Sequence, residues 1–179
     1  MKGNRIQKSR TTGCCFRKGM LLLLFPMLLV CSAISQEIKI VKITELESVI
    51  RQSETPLVIN FWATFCKPCM EEIPYFIKLE KEFEKDSVRL LLVSLDLEDD
   101  YPGKINAFIA RRKISSVVWW LNESNADYFC PRIDESWSGA IPASLFINNK
   151  KGYRRFVEEA LTEELIEKEF RLISGKADE

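Results

Sequence analysis

Cys66 and Cys69 have two residues between them and follow directly on the run Val58-Ile59-Asn60-Phe61-Trp62-Ala63-Thr64-Phe65. Two thiols at this spacing close a small disulfide, and a strand running into a helix puts the first of them where the helix begins. The unpaired amides and the positive end of the macrodipole there favour a thiolate over a thiol. Lys67 adds positive charge, although a solvated lysine is a weaker influence than the helix end. Pro68 falls in the first turn, where a missing amide hydrogen costs nothing. Cys66 is therefore the expected nucleophile of a thiol–disulfide exchange, with Cys69 deeper and placed to resolve the mixed disulfide.

Other uses of the pair fit less well. Half of a zinc site needs two more ligands, yet the chain has no histidine, and Cys130 supplies only a third. No metal and no cofactor is expected, and an incidental pair of small buried residues sits poorly with the preceding Trp-Ala-Thr-Phe. Glu72 follows Cys69 by three positions and so lies near its helical face, whereas Glu71 points about 100° away. A partly buried carboxylate at 72 would take the proton from Cys69 as it attacks. The alternative is a solvated first-turn acid that complements the helix dipole.

The elements that must position these groups alternate along the chain. Glu37 to Val41 alternates like a half-exposed strand, and Thr44 to Ile50 opens with a helix-capping pattern. Leu57 to Phe61 is a buried strand, Cys66 to Lys85 a long helix, and Val88 to Asp96 a second buried strand. A helix over Ile105 to Ile114 and a strand over Val117 to Leu121 follow. A short helix that Pro131 interrupts is expected between Asn122 and Gly139. Ser144 to Asn148 and Arg154 to Val157 form a hairpin, and Thr162 to Ile173 a final amphipathic helix. This alternation predicts an α/β fold, a central mixed β-sheet flanked by helices on both faces.

Asn60 to Cys69, with Glu72, Pro74 and the segment Trp137-Ser138-Gly139-Ala140-Ile141-Pro142-Ala143, resembles the thioredoxin superfamily and, within it, the TlpA/ResA-like thiol-disulfide oxidoreductases. The resemblance covers about residues 37 to 173. It implies the thioredoxin fold and a redox-active disulfide between Cys66 and Cys69, supported by Lys67 and Pro68. It sets Asn60 where cytoplasmic thioredoxins carry a buried aspartate, which removes one candidate proton acceptor. It also implies an acidic group near the dithiol at Glu72, a helix-kinking Pro74 and a cis peptide before Pro142. The backbone of Ile141 would then hold an extended substrate, and Trp62 would present a flat apolar surface to it. X-Pro is the common route to a cis bond, and a proline just ahead of Ala143 to Ile147 suits one. Trp119, Trp120 and Trp137 are expected to pack in the core or at an edge.

Net charge is zero, but residues 1–35 hold six Lys and Arg and no acid, so 20 basic side chains face 26 acidic ones in the remainder. That excess does not suit a nucleic-acid partner. The basic stretch from Lys2 to Lys18, the apolar run Met20 to Cys31 and the small residues Ser32, Ala33 and Ser35 form an export signal. Cleavage before Gln36 is expected; an uncleaved membrane anchor or a lipid on Cys31 are the alternatives. Residues 36–179 make one domain with enough apolar content for a core. Cleavage removes Cys14, Cys15 and Cys31 and leaves Cys130 as the odd thiol, expected to be buried.

The expected function is an exported thiol-disulfide oxidoreductase, periplasmic or anchored facing the periplasm. It would reduce disulfide-containing polypeptides and be recycled by a membrane electron donor; cytochrome c maturation is one task the resemblance implies. A peroxiredoxin-like thiol peroxidase is the enzymatic rival, but that type needs a threonine three residues before its reactive cysteine, where this chain has Ala63. A non-catalytic polypeptide-binding module is the rival from another class.

Overall fold

The computed structural model describes residues 38–176; the expected export segment, with Cys14, Cys15 and Cys31, lies outside the described residues. In chain order the elements are β1 (Lys39–Val41), α1 (Ile43–Gln52), β2 (Leu57–Trp62), α2 (Lys67–Glu82), β3 (Arg89–Ser94), α3 (Gly103–Arg112), β4 (Val117–Leu121), α4 (Ala126–Ile133), β5 (Ala143–Asn148), β6 (Tyr153–Val157) and α5 (Glu163–Ser174). The six strands form one sheet in the order β1-β4-β3-β2-β5-β6. The β1–β4, β4–β3 and β3–β2 pairs are parallel, while β2–β5 and β5–β6 are antiparallel. This is the mixed sheet that the alternation of elements predicts.

Every residue of β2 and of β5 is buried, as expected of central strands covered on both faces. Alternate side chains then feed two cores. Val58, Trp62, Leu92 and Phe146 join Ile73 and Phe76 of α2, Phe108 of α3 and Phe170 of α5. Leu57, Ile59, Phe61, Val93 and Leu145 join Leu46 of α1 and Phe129 of α4 on the opposite face. Burying two such layers is the main free-energy source for the fold, at roughly 25 cal/mol per Å² of apolar surface.

Some local expectations are corrected. α1 starts at Ile43 without a side-chain cap; the Ile43 N–H instead donates to Glu123 Oε1 at 3.0 Å, a partner 80 residues away that no local pattern reveals. The long helix is shorter than the expected Cys66–Lys85 and is followed by a 3-10 turn at Glu84–Asp86. Pro131 lies inside α4 without interrupting it, because it removes one donor where Asp127 and Pro131 are exposed and the freed carbonyl need not stay dry. The hairpin turn is a 3-10 turn over Asn149–Lys151, capped by Asn148 and closed by Gly152 at φ 62°, a left-handed position suited to glycine.

Candidate active site

β2 delivers the chain into a short turn, and Cys66 stands at the N-cap of α2 with extended backbone (φ −88°, ψ 99°). Its Sγ accepts from the Cys69 N–H at 3.3 Å, so a first-turn amide of the helix points at this sulfur, the arrangement that stabilises a thiolate once the bond is reduced. Cys66 and Cys69 are disulfide-bonded, with Cα atoms 5.3 Å apart. Cys66 keeps 7% of its surface exposed and Cys69 none. An incoming disulfide therefore meets Cys66 first. Pro68 occupies the first turn as expected. Lys67 is solvated and faces Glu71 Oε1 at 3.7 Å, so its charge contributes little at the sulfur.

The turn before Cys66 is held by a residue that sequence reading missed. Asp96, buried two residues past the end of β3, accepts the Thr64 N–H at 3.0 and 3.1 Å on its two oxygens, and the Thr64 hydroxyl as well. Ser94 Oγ donates to the same carboxylate at 2.7 Å, and the Asp96 carbonyl accepts Trp120 Nε1–H at 2.7 Å. The only sequence signal is an acid just past a buried strand in a parallel sheet, where loops gather at one end.

Behind the dithiol, Glu72 is buried one turn after Cys69. Asn60 Nδ2 donates to Glu72 Oε1 at 2.7 Å and to Ser144 Oγ at 3.1 Å, and the Leu161 N–H donates to Glu72 Oε2 at 2.8 Å. Burial pushes the Glu72 carboxyl up to about 7, against the opposing pull of the Leu161 and Asn60 hydrogen bonds. Glu72 is thus not a solvated first-turn acid; Glu71 is the exposed one.

The third part is the loop before β5. The Ile141–Pro142 bond is cis, and so is Tyr101–Pro102, which the sequence did not single out. Glu158 braces the loop, accepting from the Ser138 N–H at 3.1 Å and the Ala140 N–H at 2.8 Å. Burial works against ionisation of Glu158, but the hydrogen bonds from Ser138, Ala140 and Gly139 outweigh it and hold the carboxyl below the usual range. Cys130 is a buried free thiol lying beneath Gly139: a Cβ there would stand 3.7 Å from its Sγ. Burial, with help from Glu158 and Asp127, pushes the Cys130 thiol up to about 11.

Trp62 requires a correction. It is fully buried, with its ring 4.7 Å from that of Phe108, because its place in β2 points it into the helix-covered core. It offers no surface to a substrate. Phe65, the residue immediately before Cys66, is the exposed aromatic, at 64%. Phe65 and Ile141 line one groove, and so the dithiol turn meets the proline loop. Trp120 and Trp137 are buried, as expected of packing residues, and Trp137 Nε1–H donates to the Ala140 carbonyl at 2.9 Å.

A mixed sheet covered on both faces, with a Cys-x-x-Cys disulfide at a helix N-terminus opposite a cis-proline, defines a thioredoxin-like protein. Residues 32–151 match the AhpC/TSA family, and the chain belongs to it. It is similar to the thiol-disulfide oxidoreductase ResA of Oceanobacillus iheyensis, 45% identical over 40 residues, which are 22% of this chain and 21% of that one. ResA of Halalkalibacterium halodurans is 25% identical over 119 residues, 66% of this chain and 62% of its own length. Both matches span less than two thirds of the relative. Among solved structures, the thioredoxin-related protein of Neisseria meningitidis serogroup B superposes with a TM-score of 0.57 at 25% identity, over 72% of this chain and 89% of that one. The Cys66–Cys69 pair is thus the redox pair of a thiol-disulfide oxidoreductase family.

Proposed function

We propose that this chain is an exported protein-disulfide reductase. The reading rests on one relationship: the outer sulfur, Cys66, sits at the helix N-cap, while the inner one, Cys69, is sealed one turn from a carboxyl poised near neutrality. In the reduced protein the Cys66 thiolate attacks a substrate disulfide, forms a mixed disulfide and releases one substrate thiol. Cys69 then gives its proton to Glu72, attacks Cys66 Sγ and releases the second substrate thiol. The Cys66–Cys69 disulfide that remains needs two electrons and two protons from a membrane donor. With Asn60 in place of an acid, Glu72 is the proton acceptor.

Lys67 and Pro68 between the cysteines lack the histidine that stabilises the thiolate in strong oxidants, which favours reduction. Export is supported by the basic and apolar stretches before residue 36, and cytochrome c maturation is one task that suits such a reductase. A thiol peroxidase is disfavoured, since Ala63 has no hydroxyl and that of Thr64 is committed to Asp96; peroxide consumption should be negligible. The deciding experiment is the redox equilibrium of residues 36–179 in graded thiol buffers, read by alkylation mass shift. A two-electron transition near about −270 mV supports a reductase, whereas one near about −120 mV reverses the electron flow.

A further inference from the structure

Beside the dithiol, the segments that follow β3 and β4 flank an open groove of about 360 Å³. Phe65, at 64% exposure, and Leu97, at 67%, present their side chains on its surface, and Phe129 lies buried beneath. Lone apolar side chains are common on a surface, but two strongly exposed ones on a single groove next to a reactive disulfide form a patch that leaves water when covered.

The charged side chains that line the groove are all acidic. Its ionisable lining residues are Asp96, Glu98 and Glu123, with no Lys or Arg. Asp96 is consumed by Thr64 and Ser94, and Glu123 gives one oxygen to the Ile43 N–H. Glu98 has no ion pair or side-chain hydrogen bond among the described residues. Two cations close to the groove are already engaged: Lys42 Nζ donates to the carbonyl of Asn122, a lining residue, and Lys104 is paired with Asp100 at 2.7 Å. At the edge of the groove, the backbone of Ile141 makes no hydrogen bond among the described residues, and its N–H and C=O suit an extended chain.

We propose that this groove selects clients in which the disulfide cysteine lies next to a large apolar residue and a Lys or Arg. The apolar side chain packs on Phe65 and Leu97, and the cation lies beside Glu98 and the free oxygen of Glu123. This rests on the reductase reading and names the substrate class that goes with it. The small exposed pairs involved act on encounter and register more than on final affinity.

The test uses the full chain, reduced beforehand, in single turnovers against three disulfides: 2-hydroxyethyl disulfide, and two peptides carrying the same cysteine as a mixed disulfide with 2-mercaptoethanol. One peptide is flanked by Leu-Lys, the other by Leu-Glu. The Leu-Lys peptide should react about fivefold faster at low salt, and the difference should vanish in about 0.5 M salt. With each peptide rate divided by the same variant's rate on 2-hydroxyethyl disulfide, Glu98→Lys should invert the preference and Leu97→Ser should lower the ratio for both peptides. Equal peptide rates with active 2-hydroxyethyl disulfide reduction would overturn the groove assignment and leave the reductase intact. No reaction with any of the three disulfides overturns both.

Discussion

The side-chain amide of Asn60 donates to Glu72 Oε1 at 2.7 Å, while its own Oδ1, equally buried, has no partner. An amide is two-faced, and a carboxyl that titrates near neutrality needs a neighbour that suits both of its forms. With Glu72 ionised, Nδ2 donates as observed; with Glu72 protonated, a half-turn of the amide lets Oδ1 accept the new O–H. An aspartate at position 60 would instead put a second charge beside the first.

The pH dependence of stability follows from this pair. The folded Glu72 pKa of about 7 lies above its unbound value of 4.5, so between those limits the folded chain binds more protons than the unfolded one. Stability is then lost as pH rises through that window and is flat on either side. Glu72→Gln keeps the neutral shape and should abolish this component, leaving the variant more stable than wild type at pH 8 by about 2–3 kcal/mol and equal to it near pH 4. Denaturant unfolding of the oxidised proteins at the two pH values measures the difference. An unchanged gap would place the charge elsewhere. The same substitution should slow resolution by Cys69, visible as accumulation of a mixed disulfide.

Asp96→Ala removes the acceptor of both Thr64 donors and of Ser94 Oγ. It should cost about 2–3 kcal/mol, with Asp96→Asn about half as much because one acceptor remains. Because these bonds fix the turn that carries Cys66, the midpoint of the Cys66–Cys69 redox equilibrium should also move, and Asn should restore part of it. A fall in stability with an unmoved midpoint would make Asp96 a scaffold residue alone.

Trp62 and Phe65 should behave oppositely. The buried Trp62 Nε1–H has no partner, so Trp62→Phe sheds an unsatisfied donor while it loses volume and should stay within about 1 kcal/mol of wild type, whereas Trp62→Ala should cost about 3–5 kcal/mol. Phe65→Ser should leave stability nearly unchanged and weaken capture of the Leu-flanked peptide. Calorimetry together with peptide kinetics separates the two roles.

Cys130 should resist alkylation in the folded protein at pH 8, where its thiol, pushed up to about 11, is protonated as well as covered. Peptide mapping after iodoacetamide should find it labelled only when denaturant is present; ready labelling in the native state would mean that the loop over it opens.

Much of this was legible in the sequence where cause and effect are close along the chain. The dithiol, Pro68 and the position of Glu72 one turn after Cys69 are local patterns, and the alternating strands and helices gave the sheet its covering layers. The misses arise where the determinant is remote or depends on facing. Trp62 and Phe65 both neighbour the dithiol in sequence, and only the double burial of β2 decides that the first turns inward. The grip of Asp96 on Thr64 spans 32 residues, and no periodicity encodes it. Thr44 has the composition of a cap, yet Glu123 serves the helix start from another loop.

The pairing of Phe61 with Ala143 in the antiparallel β2–β5 ladder brings the end of one strand beside the start of another, so the reactive turn and the proline loop are neighbours by virtue of two strands alone. The groove shares Phe65 with that turn and Ile141 with that loop, but its acidic side, Glu98 and Glu123, comes from the segments after β3 and β4. The exchange reaction and the acidic side of the groove are thereby carried by separable parts of the chain. Mutation can redraft that side while the exchange reaction is conserved, and an engineer could graft new recognition loops onto an unchanged catalytic ladder.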